Sequence, residues 1–80
     1  MSQNLYKYFQ DAYKRQADTG ERLGQAMFNH LLIIRPKLAN AVRGTENDPF
    51  YSASTPEHKP MVNFRRFIAA NWDSPEYAED

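Results

Sequence analysis

Three serine and threonine side chains, Ser52, Ser54 and Thr55, stand shortly before His58, and that arrangement invites a nucleophile paired with a base. Such chemistry also requires an acid to orient the imidazole, donors for the oxyanion and an enclosing pocket. A small helical domain rarely supplies all of these, and no enzyme activity is expected. Metal chemistry has even less to work with. His30 and His58 are the only histidines, cysteine is absent, and no HxxxH or HxxEH pair occurs. Asp48 or Glu57 can be imagined beside the histidines, yet nothing in the spacing asks for them. Three scattered glycines cannot make a phosphate-cradling loop. The chain is therefore expected to use no cofactor.

Binding chemistry has better candidates. Lys37, Asn40 and Arg43 recur at i, i+3 and i+6, one outward side of a helix. Asn and Arg are the usual readers of adenine and guanine edges, so a helix-turn-helix-like pair over residues 19–33 and 36–43 would place them on nucleic acid. Against that, the second helix of such a pair is very short and its junction is Arg35-Pro36, not a turn containing glycine. The formal net charge is also +0, where nucleic-acid binders are usually basic. A second set, Arg65, Arg66, Trp72 and Tyr77, gathers toward the C-terminus. Arg, Trp and Tyr are the types enriched where protein interfaces concentrate their energy, and these four are the leading candidates for contact with a protein partner. Trp72 serves equally well as a plug closing the core.

Four helices must position these groups, and the expectation is an all-α, single-domain bundle whose third helix is short. Leu5, Tyr8, Phe9, Ala12 and Tyr13 make a core-facing stripe on a helix over Gln3–Arg15, with Ser2 as its cap. Asp11 stands ready to pair with Lys14 or Arg15. After a connection at 16–20, Asp18 and Glu21 have the spacing of a capping box, and a second helix over about Thr19–Ile33 follows. Leu23, Met27, Leu31 and Ile34 form its stripe, widened by Ala26, Phe28 and Leu32, which makes it the central helix. Gly24 on that helix suggests the close approach of another one. His30, opposite much of the stripe, is expected to be exposed or half-buried. Should four helices fail to cover the apolar surplus, a homodimer would.

Pro36 forces a break: it pushes Arg35 out of helical geometry and is itself well placed to start a new helix. That helix runs to Arg43 with Leu38, Ala41 and Val42 inward, and Gly44 supplies a left-handed cap. Residues 45–59 are a long, aromatic-bearing loop in which Asn47-Asp48-Pro49 turns the chain and Phe50 or Tyr51 pins it. Pro60 limits residues 56–59 to a turn. The fourth helix is expected over about Pro60–Trp72, with Met61, Phe64, Phe67, Ile68 and Trp72 inward and Arg65 and Arg66 outward. Asp73-Ser74-Pro75 ends it, so the domain spans residues 1–75 and residues 76–80 form an acidic tail expected to fray.

Charge is unevenly placed along the 80 residues. Residues 1–43 carry seven basic against three acidic groups, and residues 44–80 reverse that ratio, three against seven. Mutual neutralisation on folding accounts for this, and a basic face toward an acidic partner is the sharper reading. The longest unbroken apolar run is Leu31–Ile34, far short of the roughly 18 residues that read as a membrane span. No membrane partner is expected, and the absence of a basic-then-apolar leader points to the cytoplasm.

The middle of the chain also resembles a known pattern. Gly24-Gln25-Ala26, Phe28-Asn29, Arg35-Pro36, Leu38-Ala39, Val42-Arg43-Gly44-Thr45 and Asp48-Pro49-Phe50-Tyr51 are similar, in order and spacing, to a pattern in short proteins of bacteriophages and bacteria. The resemblance covers about the middle third and implies no activity. What it implies is a small phage-type accessory factor, one that binds and modulates a host protein in the host cytoplasm.

Overall fold

The computed structural model of the chain describes residues 3–50 and 58–79. Expectations for Ser2 as a cap, for Tyr51, and for Ser52, Ser54, Thr55 and the turn at Pro56-Glu57 lie outside those residues. Within them the protein is all-helical. Helix α1 spans Gln3–Thr19, α2 spans Leu23–Ile34, α3 spans Pro36–Val42 and α4 spans Lys59–Asn71, followed by a single 3₁₀ turn at Pro75–Tyr77. Helix α1 packs on α2, α2 on α3 and α3 on α4. The radius of gyration, 11.5 Å, matches the roughly 12 Å of a close-packed domain of this length.

Each helix exists for a reason visible in its residues. On α1 the stripe Leu5, Tyr8 and Ala12 is fully buried, whereas Tyr13 remains 43% exposed and lies outside the core. This helix continues four residues beyond the expected Arg15, because Gln16 and Ala17 favour it and Thr19 Oγ1 donates back to the Arg15 carbonyl at 2.8 Å. Helix α2 consequently starts later, at Leu23, and no capping box forms: Arg22 occupies the cap position with no side-chain bond. Glu21 has a different task. Its carboxylate accepts from Arg15 Nε at 2.8 Å, Asn29 Nδ2 at 2.7 Å and Thr19 Oγ1 at 2.9 Å, tying the end of α1 to the body of α2. Asp11 pairs with Lys7 at 3.2 Å instead of with Lys14 or Arg15.

Helix α2 is central. Leu23, Ala26, Met27, Phe28 and Leu31 are buried, but Ile33 and Ile34 are 66% and 40% exposed at its end. Ile34 therefore leaves the stripe assigned to it, since the chain is already breaking there. Arg35 follows with φ −139° and ψ 67°, outside helical geometry, and Pro36 opens α3, as a proline restart requires. The seven residues of α3 bury Leu38, Ala39 and Val42. Gly44, at φ +73°, then takes the left-handed position that ends the helix.

The turn after α3 is held by its own polar side chains. Asp48 accepts from the Gly44 amide at 2.8 Å through one carboxylate oxygen and from the Phe50 amide at 2.9 Å through the other. Thr45 Oγ1 donates to the Val42 carbonyl at 2.7 Å and accepts from the Asn47 amide at 3.1 Å. So tied, the turn drives buried Pro49 against α2. A methyl group on Gly24 would overlap the Pro49 carbonyl oxygen and stand 2.9 Å from its carbon. Gly24 does allow a close approach, but of this turn and not of a helix. Phe50 lies edge-on to Phe28, ring centroids 5.9 Å apart.

Helix α4 places Met61, Phe64 and Ile68 in the core, and Trp72, the first residue beyond it, closes the end at 6% exposure. Beyond Trp72 the chain folds back. Arg35 Nη2 donates to the Tyr77 carbonyl at 3.3 Å, Lys37 Nζ to the Ala78 carbonyl at 3.1 Å, and the Lys37 amide to Glu79 Oε1 at 2.7 Å. Tyr77, Ala78 and Glu79, within the stretch expected as an acidic tail, thus lie against Arg35 and Lys37. One acid of the second half, Glu79, meets a backbone amide of the first.

Candidate functional site

Arg65 and Arg66, chosen from the sequence by type, are brought together with residues it did not associate with them. They line a groove of about 340 Å³ with Val62 and Ala69 of α4 and Phe9 of α1. Helix α1 contributes Phe9 to this lining and α4 contributes the rest. On α1, Tyr6, Phe9 and Tyr13 recur at i, i+3 and i+7; Phe9 is half-buried against the core, and Tyr6 and Tyr13 are 59% and 43% exposed. On α4, Val62, Arg66 and Ala69 recur at i, i+4 and i+7. Arg66 is exposed and Arg65 half-buried. Helix α4 contains Lys59, Arg65 and Arg66 and no carboxylate at all. The acids of α1 lie on another side of that helix, where Asp11 and Asp18 share a shallow depression with His30. Among the described residues, Phe9, Val62 and Ala69 thus lie beside the cations Arg65 and Arg66 in one groove.

Trp72 and Tyr77 stand apart from this groove. Trp72 packs on Tyr8, ring centroids 5.6 Å apart, and carries the Arg35 guanidinium 4.7 Å above its ring. At 6% exposure it belongs mainly to the core. Tyr77 is half-buried beside Phe67, at 6.2 Å between rings.

The outward set on α3 is dispersed by its contacts. Lys37 is occupied by Ala78 and Glu79, and Arg43 lies over the Phe28 ring at 5.5 Å. Asn40 remains exposed between them. Using Lys37 Nζ on a phosphate would require releasing it from the Ala78 carbonyl. Among the described residues, no group of three His, Asp or Glu side chains could hold a metal ion, and no helix is long and apolar enough to cross a membrane.

A second concave feature was missed by the sequence reading altogether. Asn4, Lys7, Tyr8 and Asp11 of α1, His30 and Ile34 of α2, Arg35 and Trp72 line a half-open cavity of about 300 Å³. His30 stacks on Tyr8 with the rings 4° from parallel and 5.8 Å apart, its Nε2 3.9 Å from Asp11 Oδ2. Burial outweighs the nearby Asp11 charge and holds the imidazole below its usual pKa, so it is neutral at pH 7. Burial also pushes the Tyr8 phenol well above its usual value, and its hydroxyl donates to the Met27 carbonyl at 2.6 Å. Glu21 moves the other way: chiefly its bond from Arg15, helped by those from Asn29 and Thr19, holds its carboxyl below the usual range. No periodicity links residues 8, 30, 35 and 72. The one signal was an arginine at a proline break, which says nothing of where the guanidinium will go.

No protein-family model, curated protein or solved structure matches the chain.

Proposed function

We propose that this chain is a small interaction protein that works by binding rather than catalysis, and that its α1–α4 groove receives an acidic, amphipathic helix of a partner protein. The observation that supports this reading best is a groove in which Phe9, Val62 and Ala69 lie beside Arg65 and Arg66, on a helix that carries no carboxylate. Apolar anchors of a partner helix fit such a groove at i, i+3 and i+4, while its carboxylates meet the rim. Charge complementarity of this kind sets orientation and association rate more than affinity. The resemblance to short phage and bacterial proteins supports an accessory role acting on a host protein in the host cytoplasm. A nucleic-acid role for Lys37, Asn40 and Arg43 gains no support from their contacts.

Capture from a nuclease-treated bacterial lysate tests the reading by comparison of variants. Wild-type protein and Lys37→Glu, altered away from the groove, are expected to retain the same partner. Arg66→Glu reverses an exposed rim charge without touching the core, and is expected to cut recovery at least about tenfold, since misplacing like charges costs several kcal/mol. Raising the salt should weaken wild-type capture in the same direction. Equal recovery by Arg66→Glu, or recovery that nuclease abolishes, would remove the groove from consideration.

A further inference from the structure

Arg35 is an unusual cation. It is half-buried, its Nε is fully enclosed and has no hydrogen-bond partner, and only one neutral carbonyl, that of Tyr77, accepts from its Nη2. The ion pairs among the described residues join Lys7 to Asp11, Arg15 to Glu21 and His30 to Asp11, and none reaches Arg35. Asp73 and Glu79 share a shallow depression with it on its other side, but Glu79 is engaged by the Lys37 amide. Buried donors are almost always satisfied, and a desolvated charge without a counter-charge is costly. The enclosed Nε is beyond a ligand's reach and the Trp72 ring meets part of the charge, but the residue also lines a cavity in which no carboxylate pairs with it.

The cavity beside Arg35 limits which anion fits. Its walls are the Trp72 indole, the His30 imidazole stacked on Tyr8, and the aliphatic Ile34, with Lys7 and Asn4 on the α1 side. At about 300 Å³ it stands at the small end of ligand pockets and has room for a single ring. Asp11, the one carboxylate in the wall, is already paired with Lys7. A bare inorganic anion would leave the aromatic walls unused, and a neutral ring would leave Arg35 unpaired. We propose that this cavity binds a small single-ring carboxylate, with its ring against Trp72, His30 and Ile34 and its carboxylate on Arg35.

The chain contains one tryptophan, so a single indole N–H signal in the proton NMR spectrum reports from the cavity wall. Titration of the full chain with benzoate is expected to move that signal saturably, with a dissociation constant of about 1 mM or below. Benzyl alcohol, of similar shape but uncharged, and acetate, charged but without a ring, should each bind at least about tenfold more weakly. Arg35→Gln removes the charge and should weaken benzoate by a similar factor. Ile34→Phe narrows the cavity from a partly exposed position and should block benzoate while helicity by circular dichroism stays unchanged. No saturable shift with benzoate overturns the proposal. So does benzyl alcohol binding as tightly, or benzoate binding equally to Ile34→Phe; these two results decide the matter even if Arg35→Gln fails to fold. An equal response to acetate would show an adventitious ion only, and would overturn it too.

Discussion

Gly24→Ala is expected to lower the thermal midpoint by roughly 10–20 °C, an effect out of proportion to one added methyl group. On an exposed helix the same change would be mildly stabilising, by about 1 kcal/mol of propensity. Here the new Cβ would overlap the Pro49 carbonyl, with the Met61 sulfur 3.3 Å away. Backbone cannot yield as a flexible side chain does, because Asp48 fixes this turn from both ends. The protein must either distort α2 or expel the turn and lose the burial of Pro49 and Phe50. Either route costs about 3 kcal/mol or more, a large share of the roughly 5 kcal/mol a domain this small commands. Circular dichroism melts of Gly24→Ala beside Gln25→Ala measure the difference. A midpoint equal to wild type would mean that the turn does not rest on α2 as described.

Tyr8→Ala is expected to cost about 3–5 kcal/mol, enough to leave much of the protein unfolded at 25 °C. The ring is 1% exposed and touches Phe9, His30 and Trp72, so its removal opens a cavity at the junction of α1, α2 and α4. Tyr8→Phe keeps the packing and loses only the hydroxyl bond to Met27, at about 1 kcal/mol. The pair separates packing from hydrogen bonding by urea titration. The phenol adds a pH signature. Its pKa is raised in the folded state, so its contribution is fully present below the unfolded value of about 10 and is lost as pH rises from there through the folded pKa. Wild type should therefore lose stability above about pH 10 more steeply than Tyr8→Phe. Parallel alkaline curves for the two would contradict burial of the hydroxyl.

What was legible in the sequence is what local chemistry decides. Pro36 restarts a helix and Gly44 ends it because backbone geometry allows those residues little else there, and both effects survive any tertiary arrangement. The Leu5, Tyr8 and Ala12 stripe follows from the helical repeat alone. Helix ends were less legible: α1 outlasts Arg15 because its last residue, Thr19, bonds back to Arg15, as does Glu21 from a connection that is also tied to Asn29, eight residues beyond Glu21. Glu21 looked like a cap and is a clasp.

The candidate groove was readable in some of its residue types and not in its assembly. Arg65 and Arg66 stood out by composition, yet the groove exists only because α4 returns beside Phe9, more than fifty residues earlier. Trp72 stood out by the same criterion and belongs mainly to the core, holding Arg35. The tail shows a related effect. Its acids were visible, but only the fold sets the Ala78 carbonyl on Lys37 Nζ and so occupies one member of the competing basic set.

A photo-crosslinking amino acid placed at Val62, half-buried in the groove wall, interrogates that groove without charge reversal. Irradiated in a nuclease-treated bacterial lysate, it is expected to join the chain to a protein segment that mass spectrometry reads as acidic with apolar residues at helical spacing. The same probe at exposed Asn40 on α3 should give no such product. Products confined to Asn40, or a Val62 product that is nucleic acid or a non-acidic segment, would contradict a groove built for an acidic helix.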